Sequence, residues 1–270
     1  MPRLINRRPA RAAATGLAVL PFLLAAVVYL TASQWRLAAN PDDKLLPSPA
    51  AMVEAVGRLA FEPDRRSGGY VFWRDTAASL GRLLSGVGWA ALIGLVFGVA
   101  VGLLPYLRAA LTPFIAVLSM IPPLAVLPIL FIVLGLGETA KIALIAIGIA
   151  PFLIRDLALQ VEALPAEQLI KAQTLGANTA QIVCRVVLPQ ALPRLIDAVR
   201  LALGSAWLFL IAAEAIAATE GLGYRIFLVR LYLAMDVILP YVAWITVLAY
   251  AMDWALRLAK DRLFPWARAT

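Results

Sequence analysis

The sequence has no histidine, a single cysteine and few charged residues. Without histidine, zinc sites of the His-Glu-x-x-His type and Ser-His-Asp triads are excluded. The lone Cys184 has no internal disulfide partner, and on a helix it reads as a small apolar residue. No catalytic residue and no metal ligand set is assigned. A phosphate-binding loop is missing as well. Gly135-Leu-Gly-Glu-Thr-Ala-Lys141 has glycines and a lysine but lacks the Gly-Lys-Ser/Thr run that cradles phosphate and magnesium. The chain is therefore not expected to hydrolyse ATP. Charged residues make up 15% of the 270 positions, hydrophobic residues 63%, and mean hydropathy is +0.87. Soluble domains are roughly half apolar, so most of this chain belongs in lipid. Its net charge of +8 then speaks to membrane topology, because Lys and Arg mark cytoplasmic ends, and not to nucleic acid.

Uncharged runs define the spans. Arg3, Arg7, Arg8 and Arg11 precede a run from Ala12 to Trp35. It is too long for the apolar region of a signal peptide, so a retained first span is expected. Asn40–Pro49 is extended or turning, and Ala50 to Phe61 has the period of an amphipathic helix. Tyr70, Phe72 and Trp73 read as interface aromatics. Leu83 to Leu107 carries Gly94-xxx-Gly98-xxx-Gly102, a small-residue stripe for close packing. Ala109 to Gly137 holds Pro113, Pro122, Pro123 and Pro128, which kink or break the span. Broken helices often line a pathway, so Ser119, Met120, Pro122 and Pro123 are path candidates, as is Ser205 on the fifth span. Asp156 and Asp197 are expected beside Arg155 and Arg200. Glu214 is a carboxylate inside the fifth span. Two roles stay open for it: a solute or ion contact, or a structural carboxyl held by hydrogen bonds.

One stretch is polar amid these runs. From Val161 to Pro193 the pattern reads helix, glycine turn, helix, stop. Pro165 suits a first turn, and Gly176 a left-handed helix end. Asn178 with Gln181 three residues on forms a capping box, and Pro189 is expected to stop the second helix.

This stretch resembles the cytoplasmic coupling loop of binding-protein-dependent ABC importer permeases. Ala172, Gly176, Leu188 and Pro189 keep that frame, while Ile170 and Lys171 stand where a Glu and an Ala are usual. Ala172-Gln-Thr-Leu-Gly-Ala-Asn178 with Val186-Val-Leu-Pro189 is similar to the nitrate/sulfonate/taurine branch. So are Ser79-Leu-Gly-Arg82, Ile121-Pro-Pro-Leu-Ala-Val-Leu-Pro128 and Thr219-Glu-Gly-Leu-Gly-Tyr-Arg225. The resemblance implies an all-α integral membrane permease of the type I importer kind. Its implied partners are membrane lipid, two ABC ATPase subunits that bind ATP and Mg, a substrate-binding protein outside, and a second permease copy in a homodimer. No nucleic acid is implied. Ala172, Leu175, Gly176, Ala177 and Asn178 would contact the ATPase, and the solute would be nitrate, a sulfonate, taurine or similar.

Two alternatives remain. Asn40-Pro-Asp-Asp-Lys-Leu-Leu-Pro47 with Glu167-Gln-Leu-Ile-Lys171 resembles a subgroup tied to urea-like or guanidinium-like solutes. A secondary carrier using Glu214 as an ion site would need inverted repeats and more polar groups at mid-membrane, and neither is visible.

Six spans are expected, near 14–35, 82–104, 110–134, 139–157, 196–219 and 237–258. They divide the chain into an N-terminal tail (1–13), a first span (14–35), an outer segment with a short helix (36–81), a five-span core (82–258) enclosing the loop 160–195, and a C-terminal tail (259–270). With both termini cytoplasmic in a bacterial inner membrane, 14 of the 24 Lys and Arg lie inside. The short outer loops hold only Lys141, Arg225 and Arg230, so the bias supports this orientation. In a Cys184→Ser background, cysteines introduced at Thr179 and Ser67 should label from opposite sides, with position 179 inside. Labelling of both from one side contradicts six spans.

Overall fold

The computed structural model describes residues 10–41, 43–64 and 68–269. Arg3, Arg7, Arg8 and Ser67 lie outside these, as do the other tail residues before Ala10. The described residues form α-helices joined by short turns, with no strand among them.

The first helix, α1 (Arg11–Ala39), is long and apolar enough to span a membrane, yet none of its apolar window is buried against the rest of the chain. Its C-terminal part is tied down by Tyr29 and Ser33, whose hydroxyls donate to the carbonyls of Pro47 and Leu46. Next, α2 (Pro49–Phe61) begins one residue before the expected Ala50, with Ser48 accepting from the Ala51 amide at 3.2 Å. It packs on the last helix of the chain.

The second span, α3 (Val71–Leu103), begins eleven residues before the predicted position 82. At 1.5 Å per residue its 33 residues reach about 50 Å, well beyond a hydrocarbon core of about 30 Å. The extra turns exist because their polar face is buried, not solvated. Phe72 is buried as well and meets Tyr241 and Trp244, so it is a core aromatic and not an interface anchor. Tyr70 and Trp73 remain about half exposed.

The broken span is two helices, α4 (Pro105–Leu118) and α5 (Pro123–Leu134), bent by 93°. Pro122 has no N–H to continue α4, and Pro123 starts α5 at a position where that loss is harmless. Counting this pair as one span, the described residues hold six, in line with the sequence.

Helix α6 (Glu138–Glu162) packs along α3, and the glycine stripe explains how closely. A methyl added at Gly94, Gly98 or Gly102 would lie 2.8, 2.8 or 2.6 Å from the β-carbon of Leu153, Leu157 or Val161. Two short helices follow, α7 (Ala166–Thr174) and α8 (Thr179–Ile182). Then comes α9 (Leu188–Ala217), α10 (Leu222–Val229) and α11 (Met235–Leu263).

Pro189 does not stop α8. Val183–Val187 form a π-helical stretch that runs straight into α9, so Thr179–Ala217 is one helix of 39 residues. The wider turn takes up the proline: Leu188 N–H reaches back to the Val183 carbonyl, five residues before it, instead of the usual four. Cys184 is exposed on this stretch and contributes nothing to the core.

The packed seam yields a controlled comparison. Gly98→Leu should drive α3 and α6 apart and cost about 1–3 kcal/mol of stability, read as a lower Tm of the detergent-solubilised protein. Gly88, on the same helix, faces open space, so Gly88→Leu should leave the Tm unchanged. Equal effects at both positions contradict the seam.

Candidate functional site

The loop between α6 and α9 carries the five residues expected at a coupling contact. Gly176 has φ +82°, the left-handed value that suits glycine. The Ala177 amide donates to the Ala172 carbonyl at 3.0 Å, and the Gly176 amide to Gln173 at 2.9 Å. Those two bonds are a Schellman ending for α7. Two residues later the capping box closes, with Asn178 Oδ1 accepting from the Gln181 amide and Gln181 Oε1 from the Asn178 amide, both at 2.9 Å. Pro165 precedes the first turn of α7 by one residue.

Ala172 and Ala177 are half-buried against the body. Leu175, Gly176 and Asn178 form an exposed tip, where Leu175 is 80% exposed. The loop's root is braced: Gln190 donates to Gln168 at 3.0 Å, and Trp266 donates to the Pro189 carbonyl at 3.3 Å. Arg108 joins Glu162 to the last carbonyls of α3, at Val101 and Gly102.

The path candidates divide into three groups. Ser119, Pro123 and Ser205 line one cleft of about 410 Å³ between the bent pair, α6 and α9. Phe209 closes on Gly148 there, where a methyl would lie 2.5 Å from the ring. Met120 is 78% exposed at the break. Neither it nor Pro122 lines the cleft.

Glu214 lies elsewhere, three residues from the C-terminal end of α9 and fully buried. Its carboxylate accepts from three donors. Arg82 Nη1 is 2.7 Å from Oε1, the Ser79 hydroxyl is 2.8 and 2.9 Å from the two oxygens, and the Gly223 amide is 2.8 Å from Oε2. Arg82 also bonds Glu138, which accepts from Lys141, and the Glu220 carbonyl. Beside it, buried Asp75 accepts from the Gly221 amide, Arg225 and Tyr241. At Gly221, φ is +127° and a β-carbon would lie 2.6 Å from the Glu214 carboxyl carbon. The knot joins α3, α6, α9, α10 and α11. Of Glu214's two open roles, this geometry fits the structural one: its oxygens are taken by donors of its own chain.

Sequence reasoning missed the partners Asp75, Ser79 and Arg82. Their spacing of i, i+4 and i+7 is a polar helical stripe, which was the available signal. The expected ion pairs also differ. Asp197 does pair with Arg200, at 3.1 Å, and also with Lys260, but Arg155 donates to Ser119 Oγ at 3.1 Å and not to Asp156.

Comparisons with known proteins agree on one family. The family model described as binding-protein-dependent transport system inner membrane component matches residues 90–265. The taurine transport system permease protein TauC of Escherichia coli (strain K12) is 42% identical over 222 residues, 82% of this chain and 80% of that protein. The bicarbonate transport system permease protein CmpB of Synechococcus elongatus is 34% identical over 199 residues, 71% of each. Among solved structures, an inward-facing conformation of the MetNI methionine ABC transporter matches with a TM-score of 0.63 at 22% identity, covering 72% of this chain and 96% of that one.

Removing an acceptor from the knot should be costly. Glu214→Gln puts an NH₂ group against donors and should cost about 1–3 kcal/mol. Glu214→Leu leaves Arg82 half-paired and should cost about 3–5 kcal/mol. A detergent-melting series should rank wild type above Gln above Leu. A Leu variant as stable as wild type contradicts the structural role.

Proposed function

The chain belongs to the binding-protein-dependent transport system inner membrane component family, and from that membership we propose how it couples ATP hydrolysis to solute entry. It is a multi-pass permease component of an ABC importer of the taurine/bicarbonate type, a transport subunit and not an enzyme. Its family works with an ATPase and a binding protein.

In our reading, two ATPase subunits bind ATP and Mg, and each takes the tip Leu175-Gly176-Ala177-Asn178 of one permease into a groove. Two copies of the chain form the membrane unit, with both termini cytoplasmic. The single observation that carries this reading is the tip itself: a large apolar side chain, Leu175, held out of the body by a Schellman ending and a capping box. An apolar group displayed on a rigid, otherwise polar turn is a contact surface. Because α8 continues into α9, motion at the tip moves a whole span as a rigid body.

For the solute we propose a small molecule with an oxyanion head group, a sulfonate such as taurine or bicarbonate. Its support is the names of the 42% and 34% identical relatives. No observation favours the urea-like solute or the secondary carrier.

Gly176→Val tests the coupling. A β-carbon at Gly176 meets nothing within 4 Å, so the cost inside this chain is backbone strain alone, about 1–3 kcal/mol at positive φ. Gly176→Val should insert normally yet lose uptake, with the ATPase released or no longer stimulated by loaded binding protein. Gly176→Ala should be milder. Normal uptake by Gly176→Val at matched expression contradicts the coupling role.

A further inference from the structure

Arg155 differs from the other arginines that tie the spans together. Arg82, Arg108, Arg200 and Arg225 are each paired with a carboxylate. Arg155 is held by a hydroxyl, Ser119 Oγ at 3.1 Å, and no carboxylate among the described residues lies within ion-pair distance of it. A guanidinium has five N–H donors, and one of them is taken up by Ser119. It stands seven residues before the end of α6, about 10 Å along the helix from its cytoplasmic end.

Its position is also particular. Ser119, its partner, ends α4 at the break and lines the 410 Å³ cleft with Ser205. Arg155 itself lines a second cleft of about 500 Å³ between α4 and α6, whose other charges, Arg108 and Glu162, are paired with each other. The Arg155–Ser119 hydrogen bond therefore links the linings of the two clefts at the bent span.

We infer that Arg155, with Ser119 and Ser205, forms an anion-selecting step on the solute path, a role that rests on the importer reading above. The planar fork of N–H groups matches the paired oxygens of a sulfonate, carboxylate or bicarbonate. The two hydroxyls add hydrogen bonds without adding charge. A cationic, guanidinium-like solute would be repelled at the same place.

The test reads the local potential and so does not depend on knowing the solute. In membrane vesicles holding the complete complex, Ser205→Cys in a Cys184→Ser background is modified with 2-sulfonatoethyl and 2-(trimethylammonium)ethyl methanethiosulfonate. Arg155→Gln should lower the sulfonate-to-ammonium rate ratio by about tenfold or more, because one unit charge acts with opposite sign on the two reagents. Arg155→Lys should keep most of the ratio. An unchanged ratio in Arg155→Gln overturns the inference, as does a position 205 that neither reagent reaches. In a second arm, complexes reconstituted with the binding protein take up labelled taurine. Arg155→Gln should lose about tenfold in uptake while still co-purifying with the ATPase, and Arg155→Lys should recover part of it. Loss of the ATPase from Arg155→Gln would make the residue structural and overturn the inference. If wild type moves no taurine but the rate ratio falls as stated, the proposed solute is wrong and the role of Arg155 stands.

Discussion

A buried guanidinium shared between two carboxylates holds five helices of this protein together at one end of the bundle. Arg82 contacts Glu214 and Glu138 at once, and Lys141 supplies the second positive charge. Charges taken out of water are costly unless each is paired and hydrogen-bonded. Here the pairing extends to the backbone. Glu214 and Asp75 accept amides from Gly223 and Gly221, and Ser79 accepts the Leu222 amide while donating to Glu214. The turn after α9 is thus fixed by buried side chains of α3. A network satisfied to this degree specifies one arrangement, because any shift leaves a charge without a partner.

One long helix connects this network with the loop that carries Gly176. The helix Thr179–Ala217 runs from the capping box at Asn178 to the knot at Glu214. Its 39 residues measure about 58 Å, nearly twice the hydrocarbon core. On one side it meets α6, which is locked to α3 by the glycine seam. On another it meets α11, through Arg200–Asp253 and Lys260–Asp197. The bent pair α4–α5 leaves large apolar side chains such as Ile132 and Val133 exposed.

Much of this was legible in the sequence, for reasons that differ by feature. The spans show because lipid tolerates long uncharged runs and little else. The Gly94–Gly98–Gly102 stripe shows because a helix repeats its face every three to four residues. Gly176 and the Asn178–Gln181 box show because helix ends need specific residues to satisfy their backbone groups. What stayed hidden depends on partners far apart in the chain. Glu214 announced itself as a buried acid, but its side-chain donors Ser79 and Arg82 lie 135 and 132 residues earlier, on a segment that reads as a polar approach to the span. Pro189 carries a local stop signal, and the π-helical stretch that overrides it has no comparable signature. The 93° bend follows from Pro122 and Pro123 in kind but not in angle. Arg155 beside Ser119 appears only once α4 folds back on α6.

The central claim is that the exposed tip of the loop is seated in the ATPase. A photoreactive amino acid in place of Leu175 reports this directly in intact membranes containing the complete complex. Irradiation should give one predominant adduct, between this chain and an ATPase subunit, and omitting that subunit should abolish it. An adduct with lipid, with the external binding protein, or with no protein at all would contradict the claim.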